Sequence, residues 1–185
     1  MPTNDTVWWK SDNVASGSGS TALSTYTTTP YRISDMKTQW SVSSLFGNDG
    51  KCTYDDIGQG SVGNCWFMAA AASLTQQPGL MEKAFGTHDQ FNLSGPRGFY
   101  DVNFYLLGVP ITIRVDDYIP TYNGYSNTLS AKFVNGGAWM PLLEKGMAKL
   151  YGNYNALIAG NPDEAFQVLS GLPTSSISIA TMTDT

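Results

Sequence analysis

Histidine is nearly missing from this chain: His88 is the only one in 185 residues. Basic side chains are also few. Ten Lys and Arg stand against 15 Asp and Glu, leaving a net charge of −5. With no Lys/Arg cluster to follow a phosphate backbone, a nucleic-acid-binding role is excluded. Long apolar runs are absent as well. The longest, residues 65–74, is about half of the roughly 20 residues a membrane-spanning helix needs. The first six residues, Met-Pro-Thr-Asn-Asp-Thr, lack a basic start followed by an apolar core, so no secretory signal is read there. Two cysteines, Cys52 and Cys65, are too few for a disulfide framework. A reduced, intracellular and cytoplasmic setting is the expectation.

What is present is enough for one well-buried domain: 42% of the residues are hydrophobic and 12% aromatic. Residues 1 to about 45 read differently from the rest. The stretches 16–21 and 24–30 are Ser/Thr/Gly-rich and show no apolar periodicity, which describes an arm or linker. Trp8, Trp9, Tyr26, Tyr31 and Trp40 could anchor that arm to the domain or to a partner. The expected division is therefore an arm over 1–45 and a folded lobe over 46–185.

Within the lobe, a first helix is expected from residue 65 to about 76, stopped by Pro78-Gly79. It is apolar on nearly every face, so it belongs inside the domain. Residues 99–107 and 109–115 read as two strands of a hairpin, with Ile111, Ile113 and Val115 alternating against polar neighbours. Residues 116–130 read as a surface loop. A second helix spans about 140–151, with Pro141 in its first turn. A third begins with Asn161 as cap, Pro162 as first residue, and Asp163 and Glu164 against the positive helix end. It stops before Gly171. The class is α+β, with a central buried helix, further helices and a small β-hairpin.

The chemistry concentrates in Gln59-Gly60-Ser61-Val62-Gly63-Asn64-Cys65-Trp66. A thiol opens a helix, and a side-chain amide stands six residues before it across a glycine-rich loop. An unperturbed thiol ionises near pH 8.5, so only a few per cent is thiolate at neutrality. A helix N-terminus favours the anion by about 0.3–1 kcal/mol, less than one pKa unit. A histidine partner does far more and also protonates the leaving amine. Gln59 suits a second task. Its amide, with the backbone N–H of Cys65, could bind the oxyanion formed when the thiol attacks a carbonyl, each such donor contributing roughly 10²–10³ in rate. A lone cysteine on an apolar helix is more often a buried small hydrophobe; the Gln-x5-Cys-Trp arrangement is what argues against that here.

From Asp56 through Leu74 the sequence resembles the nucleophile segment of the calpain family of papain-like cysteine peptidases. The resemblance continues at Val115-Asp116-Asp117-Tyr118-Ile119-Pro120, at Trp139 through Lys149 and at Gly152 through Leu157. These four motifs, in the family's order, cover roughly residues 45–172. Asn64 stands where the family usually has Asp. The resemblance implies a papain-like fold, here its N-terminal lobe, with Cys65 as nucleophile and Gln59 as oxyanion-hole residue. It places the family's catalytic His and Asn in a second lobe downstream, and His88 is read as an ordinary surface or loop histidine. It also implies calcium, with Asp56 matching one carboxylate ligand of the first-lobe site, while Gly137 stands where the family has a ligand glutamate. Losing a bidentate carboxylate weakens a calcium site severely.

Three functions follow as expectations. The chain is the nucleophile lobe of a calcium-dependent cysteine endopeptidase acting on protein substrates, inactive without the His/Asn lobe. Alternatively it is a non-catalytic, calpain-like structural or interaction subunit of a larger assembly. Least favoured, a separate polypeptide supplies the second lobe.

Overall fold

The computed structural model describes residues 28–86, 98–122, 124 and 126–177. The run Cys65–Leu74 contains four alanines and no β-branched side chain, the composition that loses least on entering a helix, and it forms α2. Trp66, Phe67, Met68, Ala70 and Ala71 face the core. The helix is nevertheless not buried all round, contrary to expectation. Cys65, Ala69 and Ser73, spaced four residues apart on one face, are exposed. A stripe of small side chains gives that face little apolar area to hide.

Ahead of α2, β1 (Thr28–Arg32) runs into a single helical turn, α1 (Ile33–Met36). After α2 come β2 (Phe99–Leu106) and β3 (Val109–Asp116), which form the expected hairpin in a register that pairs Phe99 with Asp116 and Leu106 with Val109. Its two-residue turn, Leu107-Gly108, has positive φ at both positions, 52° and 78°, the type I′ geometry that matches strand twist. Along β2, Tyr100, Val102 and Phe104 point inward. Phe104 lies so close to α3 (Trp139–Leu150) that a Cβ at Gly146 would meet its ring at 2.8 Å. Only glycine lets strand and helix approach that far.

Residues 118–122, expected in a surface loop, instead form β4 (Tyr118–Tyr122), antiparallel to β1. Ile119, Pro120 and Thr121 are buried. The pairing partner lies about 90 residues upstream, in a Thr-rich stretch whose composition reads as linker, so no local signal announces the sheet. Pro30 faces Pro120 in this ladder, so both missing N–H donors fall on one rung.

Residues 28–45, in the stretch expected as an arm, run over the same core. Ile33, Trp40, Val42 and Leu45 are buried, and Trp40 stacks on Phe133 at 4.7 Å between centroids. The Leu45 carbonyl accepts the N–H groups of Ala138 and Trp139, satisfying donors that the start of α3 would otherwise leave open. α4 (Pro162–Ser170) closes the core, packing on α2 and β2. It ends at Gly171, left-handed at φ 74°, where a Cβ would also strike the Tyr105 ring at 2.6 Å. Among the described residues the result is a mixed α+β lobe with two small antiparallel sheets. Among the described residues no helix is long and apolar enough to cross a membrane.

Candidate active site

Cys65 is the first residue of α2, and its side chain is exposed. Three contacts put it there. Trp66, the next residue, is drawn inward, donating its indole N–H to the Leu157 carbonyl at 2.8 Å and filling the space beside Gly160. Ala159 donates its backbone N–H to the Gly63 carbonyl. The Asn64 carbonyl accepts from both Phe67 and Met68, which starts the helix. With its neighbours on both sides tied down, the thiol points outward.

The loop carrying Gln59 is held as firmly. Ser61 and Val62 both donate to the Leu129 carbonyl, and Gly60 lies flat on the same segment. A Cβ at Gly60 would fall 1.8 Å from the Ser130 carbonyl oxygen. Gln59 is exposed, and its Nε2 donates one N–H to the Val62 carbonyl at 2.8 Å. An amide nitrogen carries two N–H groups, so the bond that steadies Gln59 leaves one donor for another acceptor. The sequence-predicted pair therefore flanks one short, anchored loop. His88 lies outside the described residues.

Asp56 ends a short 3₁₀ turn and is buried. Its carboxylate receives the Thr53 N–H at 2.8 Å, the Asn135 amide at 3.0 Å and the Trp139 indole at 3.3 Å. Both oxygens are thus occupied by donors of the chain itself, an arrangement that caps the turn and fastens it to α3. Gly137 brings no carboxylate, and among the described residues no group of three or more His, Cys, Asp or Glu side chains could hold a metal ion. A calcium ion needs six to eight oxygens. Asn48, Asp49, Thr53, Asp55 and Asn135 line the same polar pocket as Asp56.

Sequence reasoning missed the buried polar centre beneath the loop. Glu144, on α3, is fully buried. It accepts the Asn64 amide at 2.7 Å through Oε1 and the Ala131 N–H at 2.6 Å through Oε2. Burial pushes its carboxyl up to about 7, opposed by those two hydrogen bonds. Its neighbour Lys145, also fully buried, pairs with Asp116 and donates to the carbonyls of Asp116 and Tyr118, pinning the corner between β3 and β4 to the helix. The only hint in the sequence is that Leu142-Leu143-Glu144-Lys145-Gly146-Met147-Ala148 sets two adjacent charges among apolar residues, and since Lys and Glu are buried only when paired, that pattern alone still reads as a solvated pair. The second cysteine, Cys52, is buried, and burial, then the charges of Glu82, Asp56 and Asp49, push its thiol far up. Neither cysteine is in a disulfide.

Cys65 thus stands exposed at a helix start, and Gln59 stands exposed at the other end of the same anchored loop. The chain belongs to the calpain family of cysteine proteases, whose model matches residues 21–185. Among curated proteins it is similar to human Calpain-12, 38% identical over 116 residues, and to Calpain-A of Drosophila melanogaster, 35% identical over 116 residues. It is also similar to rat Calpain-8, 37% identical over 122 residues. These alignments cover 63–66% of the chain but only 14–17% of the relatives' own lengths.

Proposed function

We propose that this chain is the nucleophile-bearing lobe of a calpain-type, papain-like cysteine endopeptidase. The observation that carries the reading is Cys65 itself, exposed at the first position of α2 on a loop fixed at both ends. In this reading the Cys65 thiolate attacks the scissile carbonyl carbon of a protein substrate. The carbonyl π pair moves to oxygen, which accepts hydrogen bonds from the free N–H of Gln59 and from the Cys65 backbone, whose helix-start N–H has no intrahelical acceptor. Collapse of the intermediate expels the amine, which takes its proton from an imidazolium. Water then hydrolyses the thioester.

No described residue supplies that imidazole, so a histidine beyond this constellation must face Cys65. The 185-residue polypeptide by itself is expected to show no measurable endopeptidase activity. The full protease is expected to hydrolyse peptide bonds and to lose all activity on Cys65→Ala. Full activity in that variant would remove Cys65 from the mechanism and favour a non-catalytic, structural or interaction role.

Calcium, the cofactor the resemblance implies, enters no step here, because Asp56 is committed to three donors. Asp56→Asn is expected to destabilise the lobe by about 1–2 kcal/mol equally with and without calcium. A calcium-dependent melting shift that disappears in Asp56→Asn would instead assign the ion to this residue. Two free thiols suit a reducing, intracellular compartment.

A further inference from the structure

Glu144 stands on α3, away from the loop that carries Gln59 and Cys65, yet its two oxygens reach both sides of that loop. Oε1 holds the amide of Asn64, the residue before the thiol. Oε2 holds the N–H of Ala131, at the end of the segment on which Gly60, Ser61 and Val62 rest. One carboxyl therefore spans the distance between the start of α2 and the support of the Gln59 loop.

A second observation concerns Asn64. Its Oδ1 is buried and has no hydrogen-bond partner among the described residues. A buried acceptor without a donor is costly. A protonated Glu144 carries an O–H, and half a turn of the Asn64 amide would present Oδ1 to it. The Asn64–Glu144 contact thus has two arrangements, one for each protonation state of the carboxyl.

We infer that Glu144 is a positioning residue for the Cys65 nucleophile: through the Asn64 amide it fixes the start of α2 against the Gln59 loop, and its proton selects which way that amide faces beside the thiol. The inference rests on the reading of Cys65 as nucleophile.

The carboxyl is held near neutrality by burial, so the selection falls where the enzyme would work. The titratable groups around it are few. Tyr154, from the turn after α3, is kept neutral because burial raises its hydroxyl well above the usual range. Asp116, at the end of β3, is paired with Lys145. Cys65 lies on α2, and the 129–131 segment contributes only Ser130 and backbone. When Glu144 ionises, a negative charge appears against the amide of Asn64, the residue that precedes Cys65 in the chain.

Glu144→Gln separates charge from shape. The Gln oxygen can accept from Ala131 while its Nε2 donates to the partnerless Asn64 Oδ1. The experiment is alkylation of Cys65 by iodoacetamide in the full-length protease, followed peptide by peptide with mass spectrometry across a pH range centred on about 7. The native protein is expected to show two steps, one of them near neutrality. Glu144→Gln is expected to show a single step and, above neutrality, labelling faster by about threefold. Superimposable profiles overturn the inference. Glu144→Ala, which removes both hydrogen bonds, is expected to lower kcat for a peptide substrate by more than about tenfold with little change in KM. Hydrolysis by the native protein together with labelling that ignores Glu144 leaves the protease reading standing and sinks the positioning role. A Glu144-dependent step without any hydrolysis supports the positioning role and sinks the protease reading.

Discussion

Gln59 shows how one side chain can be both fastened and available. Its bond to the Val62 carbonyl uses one N–H and stops the amide from drifting over the exposed loop. Gln59→Ala in the full protease is expected to lower kcat by roughly 10²–10³-fold with KM nearly unchanged, because the lost donor acts on charge that develops only in the transition state; steady-state kinetics on a peptide substrate would check it. Leu107 is the opposite case. It sits at φ 52° in a type I′ turn with 95% of its surface exposed, so it bears the left-handed penalty and buries nothing in return. Leu107→Asn is expected to stabilise the lobe by about 1 kcal/mol, read from urea unfolding at constant m.

At the scale of elements, the parts legible in the sequence are those held by local rules. α4 needed only Pro162-Asp163-Glu164 at one end and Gly171 at the other, since Asn161 holds the cap position without a side-chain cap bond, and α2 needed its alanines. The β2–β3 hairpin could be read from the alternation of Ile111, Ile113 and Val115 and from Leu107-Gly108. The β1–β4 sheet could not, because Tyr31 and Ile119 acquire meaning only once they face each other across the fold. The site divides the same way. Cys65 and Gln59 are visible as a spacing, whereas Glu144 and Lys145 look like solvent-facing charges until the helix carrying them is enclosed. Enclosure raises the stakes of each. Lys145→Met removes the cation that faces the buried Asp116 carboxylate, and is expected to cost about 3–5 kcal/mol in chemical denaturation. Removing both charges together should cost much less.

For the molecule as a whole, Glu144 imposes a pH dependence on stability. Its carboxyl ionises at about 7 when folded, against 4.5 for an ordinary glutamate. Between those two pH values the folded chain binds more protons than the unfolded one, so stability falls as pH rises through this window and levels off above it. The full effect is on the order of 3 kcal/mol. Asp101, held down by the Arg114 guanidinium, acts with the opposite sign at more acidic pH: its contribution is present above the ordinary carboxylate range and is lost as pH falls through its lowered value. Equilibrium unfolding measured at a series of pH values should show the near-neutral slope in the native protein and none in Glu144→Gln.

The contrast between the two cysteines has a practical side. Cys52 is sealed in the core with its thiol held protonated, while Cys65 stands open at the head of α2. A thiol reagent applied to the native lobe should therefore stop at one equivalent, and that equivalent counts nucleophiles. Each preparation carries its own internal standard: the moles of reagent consumed only after denaturant is added, per mole of chain, are Cys52 thiols that the fold had sealed, and they report the folded fraction without any substrate being known.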